Sequence, residues 1–171
     1  LFHANLAAAL HGAEDYAGAV ASYRRAIALH PGDAKLHNNL GRALQSQDQA
    51  EEAIAAYAQA IALDGDFTQA RSNLGLLQCK QKNYAAAIEH CARVLQLQTG
   101  DAQACIQLAI VHGAAEDKDN ALKYFRQALE LAPYSIETHK QLADYYNTIK
   151  RFDAAVVTYR RVLELDPENS E

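Results

Sequence analysis

The sequence has few of the residues that interrupt helices: its 171 residues include eight glycines and three prolines. Half of the residues are hydrophobic, and alanine, leucine and glutamine recur throughout the chain. These residue types favour helices, whereas glycine and proline disfavour them. The composition therefore predicts helix over almost the whole chain and excludes a disordered polypeptide, which would contain fewer apolar residues.

Methionine is absent, and the chain begins at Leu1 without the features of a signal peptide. We interpret the chain as a fragment of a longer protein. No apolar run is long enough to cross a bilayer, so we expect no direct membrane insertion. The three cysteines, Cys79, Cys91 and Cys105, form no CxxC motif. Their odd number argues against a disulfide framework and favours a cytoplasmic protein with reduced thiols.

The chain also lacks charge runs and catalytic motifs. Its net charge is −5, with acidic and basic residues interspersed, so we expect no binding to nucleic acid. No HExxH, glycine-rich phosphate loop or G-x-S-x-G sequence occurs. Three histidines share one repeat position, which favours a packing role: His3, His37 and His139. We therefore predict neither enzyme activity nor a metal or other cofactor.

What the chain does contain is a period of 34 residues. The period is marked by an alanine series and a leucine series: Ala19, Ala53, Ala87, Ala121, Ala155; Leu6, Leu40, Leu74, Leu108, Leu142. A third series is aromatic except in one unit: Tyr23, Tyr57, Cys91, Phe125, Tyr159. The period divides the chain into five repeats, at about residues 1–33, 34–67, 68–101, 102–135 and 136–169.

Each repeat divides into two helices. In the second repeat, apolar residues at helical spacing predict helices at 34–47 and 50–63. The short break between them predicts an antiparallel hairpin. Gly41 and Gly75 occupy a position that holds alanine in the other three repeats. A very small side chain there lets the two helices of a hairpin approach closely, which offsets the low helix propensity of glycine.

This pattern of Leu-Gly, Ala, aromatic residue, Ala and Pro resembles the tetratricopeptide repeat. The resemblance covers essentially the whole chain and is specific in NLGRAL…AEEAIAAYAQAIAL. It implies an all-α fold, a right-handed superhelical solenoid of five hairpins whose first helices line a concave groove. One departure is that the glycine usual in the turn inside the repeat is replaced: Glu14, Asp48, Lys82, Glu116 and Lys150 stand there.

The resemblance also implies which residues face the groove. One such position holds a carboxamide in every repeat: Asn5, Asn39, Asn73, Gln107 and Gln141. A carboxamide can pair with both the C=O and the N–H of an extended peptide. The row is similar to the asparagines that hold substrate peptide in the repeats of O-linked N-acetylglucosamine transferase. The alternative is that these amides make local contacts or face water.

Other groove positions vary between repeats. Those we expect to contact a ligand are Asn38, Lys35, Arg42, Leu76, Lys80, Ile106, Ile110 and Lys140. The groove would be basic near the second repeat, apolar across the third and fourth, and mixed at the end. The alternative for each residue is that it is simply solvated. The cations with which co-chaperones of this family grip a C-terminal carboxylate are missing, so we expect no such clamp.

Three functions remain open at this stage. The first is a protein-protein interaction module that binds an extended peptide segment of a partner in its groove. The second is the substrate-recognition arm of a larger enzyme such as a glycosyltransferase. The third is a structural scaffold that self-associates end to end through uncovered apolar residues, which include Phe2, Val156, Tyr159 and Leu163.

Overall fold

A computed structural model describes residues 2–167, and over that range it contains ten α-helices. They are α1 Phe2–Gly12, α2 Tyr16–Leu29, α3 Ala34–Ser46, α4 Ala50–Leu63, α5 Thr68–Lys80, α6 Tyr84–Leu97, α7 Ala102–Ala114, α8 Lys118–Leu131, α9 Ile136–Thr148 and α10 Phe152–Leu165. The helices pack most closely in consecutive pairs, as antiparallel hairpins. The predicted all-α fold of five hairpins is confirmed, while the expected end of the last repeat at residue 169 lies outside the described residues.

The hairpins form two compact units, one ending at Leu97 and the other beginning at Gln98. In the first unit, α2 packs on α3 and α4 packs on α5, so that three hairpins stack. In the second unit, α8 packs on α9 and joins two hairpins. Each unit has buried apolar clusters of its own, around Tyr57 and Leu44 in the first and around Phe125 and Ala109 in the second.

Small residues at the centre of each hairpin allow the close helix packing that the sequence predicts. The alanines of the 34-residue series are all buried. A Cβ atom added at Gly41 would lie 2.7 Å from Cε1 of Tyr57, which is fully buried on the second helix. At Gly75, it would lie 2.8 Å from the sulfur of Cys91. The glycines therefore make room for the side chain that fills the centre of the hairpin.

The turn inside each hairpin has the same backbone geometry in all five repeats. Its central residue has a positive φ of 59° to 62°, at Glu14, Asp48, Lys82, Glu116 and Lys150. The next residue donates its N–H to a carbonyl five residues earlier, as from Asp15 to Leu10 at 2.9 Å. These are the positions where the sequence lacks the usual glycine, so non-glycine residues adopt the left-handed conformation that closes the first helix.

In three repeats, a side chain forms a hydrogen bond with a backbone carbonyl of the turn before the first helix. His37 Nε2 lies 3.1 Å from the carbonyl oxygen of Pro31, and His139 Nε2 lies 3.0 Å from that of Pro133. In the third repeat, Arg71 Nε donates to the carbonyl of Gly65 at 2.8 Å. The structure thus adds a hydrogen bond to the packing role predicted for His37 and His139.

Several apolar side chains are exposed near the ends of the described chain. They include the predicted residues Phe2, Val156 and Leu163, while Tyr159 is half-buried. Separately, the described helices include none that is both long enough and apolar enough to span a membrane.

Candidate functional site

Three asparagines on the first helices of the second and third repeats form a hydrogen-bonded amide chain. Asn73 Nδ2 on α5 donates to Asn38 Oδ1 on α3 at 3.0 Å. Asn38 Nδ2 then donates to Asn39 Oδ1 at 3.4 Å. Asn38 is only 3 % exposed, whereas Asn39 and Asn73 are half-buried. We call Asn39, Asn38 and Asn73 the amide chain; it couples two neighbouring hairpins.

The amide chain leaves polar atoms free at both of its ends. Its two hydrogen bonds use the nitrogens of Asn73 and Asn38 and the oxygens of Asn38 and Asn39. The oxygen of Asn73 and the nitrogen of Asn39 take no part in them. Since a carboxamide carries both donors and an acceptor, these atoms present one acceptor and one donor group.

A cleft of about 450 Å³ lies beside the amide chain in the first unit. Three predicted groove residues, Arg42, Asn73 and Lys80, line it together. Asp48 and His11 also line it. With two permanent cations against one carboxylate, this basic cleft favours an anionic group over a cationic one.

Tyr57 fixes one wall of the basic cleft. It is fully buried, and its hydroxyl donates to Gln45 Oε1 at 2.9 Å. Burial raises the pKa of Tyr57 to about 12, although the nearby Arg42 guanidinium opposes the rise. The phenol therefore remains a neutral donor that holds Gln45 against the cleft.

A second cavity, of about 320 Å³, lies in the second unit between α7 and α9. We call it the Tyr145 cavity; it is lined by Ile110, Gly113, Ala114, Phe125, Gln141, Asp144, Tyr145 and Thr148. Two polar atoms of these residues, Gln141 Oε1 and the Tyr145 hydroxyl, are buried without a hydrogen-bond partner among the described residues. The same holds for Oε1 of Gln107 on α7.

The remaining predicted groove residues are placed differently. Asn5, Lys35 and Lys140 are exposed and Leu76 is half-buried, and they line neither the basic cleft nor the Tyr145 cavity. The expectation that Ile106 faces a ligand is wrong, because its side chain is only 2 % exposed and belongs to the interior. Asn38, expected to border the groove, is buried and forms hydrogen bonds with Asn39 and Asn73.

Sequence reasoning missed the part played by Tyr145 and by the pair of Tyr57 and Gln45. Tyr145 is absent from the residues predicted to contact a ligand, yet it lines a cavity, and its hydroxyl has no hydrogen-bond partner among the described residues. A signal was present, since the same repeat position holds only small or aliphatic residues elsewhere: Ala9, Ala43, Leu77 and Val111. A tyrosine that departs from an otherwise apolar series is a candidate for a polar role.

His112 and its neighbours form a structural cluster in the second unit. His112 Nδ1 lies 3.0 Å from Asp117 Oδ2, and the imidazole stacks on Tyr124. Asp117 also accepts the backbone N–H of Asn120 at 3.2 Å and so caps α8. Hydrogen bonds from Asn120, and then from His112, lower the pKa of Asp117. The cluster joins the end of α7 to the start of α8.

The cysteines and other potential metal ligands are dispersed. Residues 2–167 hold no group of three His, Cys, Asp or Glu side chains that could bind a metal ion. Cys91 and Cys105 are buried, and Cys79 is half-buried. Burial raises the pKa of the Cys91 thiol to about 12, so this thiol is a poor nucleophile.

Comparison of the sequence with family models gives four matches. Models described as "Tetratricopeptide repeat" match residues 38–102, 102–135 and 137–169, and one described as "TPR repeat" matches residues 8–48. Together they cover nearly the whole chain. No curated protein sequence matches it significantly.

Solved structures of similar fold include two of MamA. A crystal structure of MamA is 21 % identical, with a TM-score of 0.81, and 96 % of each chain is covered. MamA 41-end from Desulfovibrio magneticus RS-1 is 18 % identical, with a TM-score of 0.85, over 99 % of this chain and 96 % of that one. YrrB, titled "a TPR protein with an unusual peptide-binding site", is 18 % identical, with a TM-score of 0.73, over 98 % and 86 %. At such identities the likeness concerns the fold, and it agrees with the predicted all-α repeat class.

Proposed function

Because the chain belongs to the tetratricopeptide repeat family, we propose that it is a protein-interaction module that binds an extended peptide segment of a partner along its first helices. The observation that carries this proposal is the amide chain. Asn73 bonds to Asn38 at 3.0 Å and Asn38 makes a longer, weaker bond to Asn39 at 3.4 Å, and the chain has a free donor at one end and a free acceptor at the other. An extended peptide carries the complementary C=O and N–H groups whatever its side chains are.

The basic cleft supports the proposal and indicates that the peptide carries a negative charge near the amide chain. Arg42 and Lys80 line it together with the predicted groove residue Asn73. A peptide held by its backbone at the amide chain would place a neighbouring Asp or Glu side chain within this cleft. YrrB, which has the same fold, is described as having a peptide-binding site, and a similar use of this chain is part of the proposal.

The proposal is tested by selecting binders from a random twelve-residue peptide library and measuring their affinity for the variant Asn39→Ala/Asn73→Ala. Each lost hydrogen bond to the peptide backbone weakens binding by about 1 kcal/mol, so we expect a loss of roughly 5- to 30-fold. Because Asn73 also bonds to buried Asn38, circular dichroism must confirm that the variant remains folded.

The matched control is Gln49→Ala/Gln59→Ala, which removes two amides from exposed positions of the second repeat. It should leave every affinity unchanged. Equal affinity of the amide-chain variant and the native chain would contradict the proposal and would move the binding site to another surface. A library that yields no binder to the native chain would also count against it.

A second candidate is that the repeats form the substrate-recognition arm of a larger enzyme, such as a glycosyltransferase. The Asn-Leu-Gly sequence at Asn39 and Asn73 and the bonds of the amide chain favour it. The test uses the full-length parent protein. Asn39→Ala/Asn73→Ala would lower kcat/KM for protein substrates and spare short acceptor peptides, whereas equal effects on both would contradict an arm of this kind.

A third candidate is end-to-end self-association, which the exposed side chains of Phe2, Leu6, Val156 and Leu163 favour. Light scattering over a concentration series decides it. A mass that rises with concentration, and that Val156→Ser/Leu163→Ser abolishes, is the expected result. A constant monomer mass would remove this candidate.

A further inference from the structure

We propose that the Tyr145 cavity binds one large apolar side chain of an extended peptide, in a sequence where that residue is flanked by Lys or Arg. This inference rests on the proposed function, because it takes a peptide along the first helices as the ligand. It adds the class of side chain that the second unit selects.

The shape and lining of the cavity suit an apolar side chain. Ile110, which is 39 % exposed, lines the cavity together with Ala114 and the buried Phe125. A volume of about 320 Å³ is at the small end of the range for ligand pockets, enough for one large side chain and the adjoining backbone. Gly113 also contributes, because a Cβ atom there would meet Cε2 of Tyr145 at 2.8 Å. The glycine therefore lets the tyrosine ring lie close against α7.

Two polar atoms in this apolar setting point to a ligand with a peptide group. Gln141 and Tyr145 lie one helical turn apart on α9, and Gln141 Oε1 and the Tyr145 hydroxyl are buried without partners among the described residues. The nitrogen of Gln141 donates to Glu137, which leaves its oxygen on the inner side. Burial raises the pKa of Tyr145, so its hydroxyl stays protonated and can donate. A peptide N–H and C=O entering the cavity would satisfy one atom each once the two side chains turn toward it, because both atoms are buried in the unliganded chain.

Charge distinguishes this cavity from the basic cleft. Asp144 is the charged residue among the described residues that line it, and its carboxylate accepts a hydrogen bond from the Tyr159 hydroxyl. Glu137 lies one turn before Gln141 and adds a second carboxylate on the same helix. Asp144 therefore favours a cation next to the apolar side chain, although Lys118 and Lys150 line an adjoining cavity that shares Tyr145.

The test is an NMR titration of the isotope-labelled chain with synthetic peptides of sequence acetyl-Gly-Ser-Gly-Lys-Xaa-Lys-Gly-Ser-Gly-amide, where Xaa is Leu, Phe, Ala or Asp. We expect saturable shifts at Ile110, Gln141 and Tyr145, with Leu and Phe peptides binding at least tenfold more tightly than Ala and Asp peptides. Replacing both lysines of the peptide by glutamates should weaken binding. In the Asp144→Asn variant, the difference in affinity between the lysine and glutamate peptides should be smaller.

Two variants probe the cavity itself. Ala114→Phe, at an exposed position on its rim, should fill it and abolish the shifts, whereas Ala55→Phe, at an exposed position on α4, should not. Tyr145→Phe keeps the ring and removes the hydroxyl, so we expect a three- to tenfold loss, while Tyr124→Phe should have no effect.

The inference is overturned if the Leu and Phe peptides give no saturable shifts, or if Ala114→Phe leaves them unchanged in a folded protein. It is likewise overturned if small apolar molecules such as benzene fill the cavity and peptides do not. The proposed function is judged separately. Loss of affinity in Asn39→Ala/Asn73→Ala would preserve it even where the Leu and Phe peptides fail.

Discussion

At the scale of single residues, Gly41 illustrates a conflict between helix propensity and packing. It lies inside α3, where glycine costs about 1 kcal/mol relative to alanine. Its missing Cβ leaves the space in which the ring of Tyr57 packs. That ring is also restrained by the hydrogen bond from its hydroxyl to Gln45, so it cannot easily move aside. Packing therefore decides the residue at this position.

We predict that Gly41→Ala lowers the free energy of unfolding by about 1 kcal/mol, because overpacking costs about 1–3 kcal/mol and the helix gains about 1 kcal/mol. Urea denaturation followed by circular dichroism measures the change. Gly12→Ala is the matched control, since no atom lies within 4 Å of its added Cβ and it should not destabilise the chain. If both variants were equally stable, Tyr57 would have shifted at little cost.

Residue-scale prediction from the sequence succeeded where a position recurs and failed where it does not. The buried alanines and the small residue at Gly41 recur every 34 residues, so their packing role could be predicted. The bond between Asn38 and Asn73 could not, because the position of Asn38 holds Ala4, Ser72, Ile106 and Lys140 elsewhere. A contact that occurs between only one pair of hairpins does not recur every 34 residues, so the period cannot reveal it.

At the scale of elements, the turn inside each hairpin carries a small conformational cost. Non-glycine residues at positive φ cost about 1–2 kcal/mol each relative to right-handed backbone, and residues 2–167 include five of them. The helix ends nonetheless form, because the backbone hydrogen bonds of the turn and the packing of the hairpin hold them in place.

Lys82→Gly should therefore raise the free energy of unfolding, by about 0.5–1 kcal/mol. Glycine removes the cost of the left-handed conformation, and part of that gain is offset by the greater entropy of the unfolded chain. Thermal and urea denaturation both measure it. Lys82→Ala is the control, because it removes the long side chain but keeps the Cβ atom and with it the conformational cost of a positive φ. Equal stability of the two variants would show that the backbone cost at Lys82 is negligible.

Element boundaries were largely predictable because turn chemistry marks them. The helices expected at 34–47 and 50–63 run from Ala34 to Ser46 and from Ala50 to Leu63. Asp33 begins the first by accepting the N–H of Lys35 at 2.9 Å, as its position before an apolar periodic segment suggests. The positive φ at Asp48 was not predictable in the same way, because no glycine marks it.

At the scale of the whole molecule, the 34-residue period does not reveal that the helices group into two units. All repeats are alike in length, yet the helices group into one unit that ends at Leu97 and another that begins at Gln98. The sequence gives only a weak local sign of it: Thr99 stands in the turn where three repeats have proline, but the second repeat also lacks proline there and has Gly65. Packing between hairpins depends on non-periodic side chains, so a period alone does not predict it.

We predict that brief digestion with proteinase K cuts first at residues 98–100. Gln98, Thr99 and Gly100 are exposed, and Gly100 has a φ of 85°. Mass spectrometry identifies the cut, and two fragments that meet near residue 99 are the expected products. The turns at residues 31–33 and 64–66 serve as internal controls, because they are equally exposed but lie within the first unit. Earlier cleavage there would contradict the prediction.

The candidate site could be predicted only in part from the sequence. The amide row and the basic residues Arg42 and Lys80 were found from their repeat positions, and the structure places Asn73 with them in one cleft. Burial of Ile106 and the unpaired hydroxyl of Tyr145 depend on the surroundings that neighbouring helices create. Such surroundings follow from three-dimensional packing and are absent from a list of periodic positions.

The shared turn geometry has a consequence for how such a chain can evolve. Glu14, Asp48, Lys82, Glu116 and Lys150 are exposed and differ in charge, yet their backbones follow the same path. Hairpin closure there does not depend on the charge of the side chain, since main-chain groups make the closing hydrogen bonds. Mutations at these five positions can therefore change the surface charge at the turn of each hairpin while the hairpins persist. The turns and the first helices are thus free to diversify separately under selection.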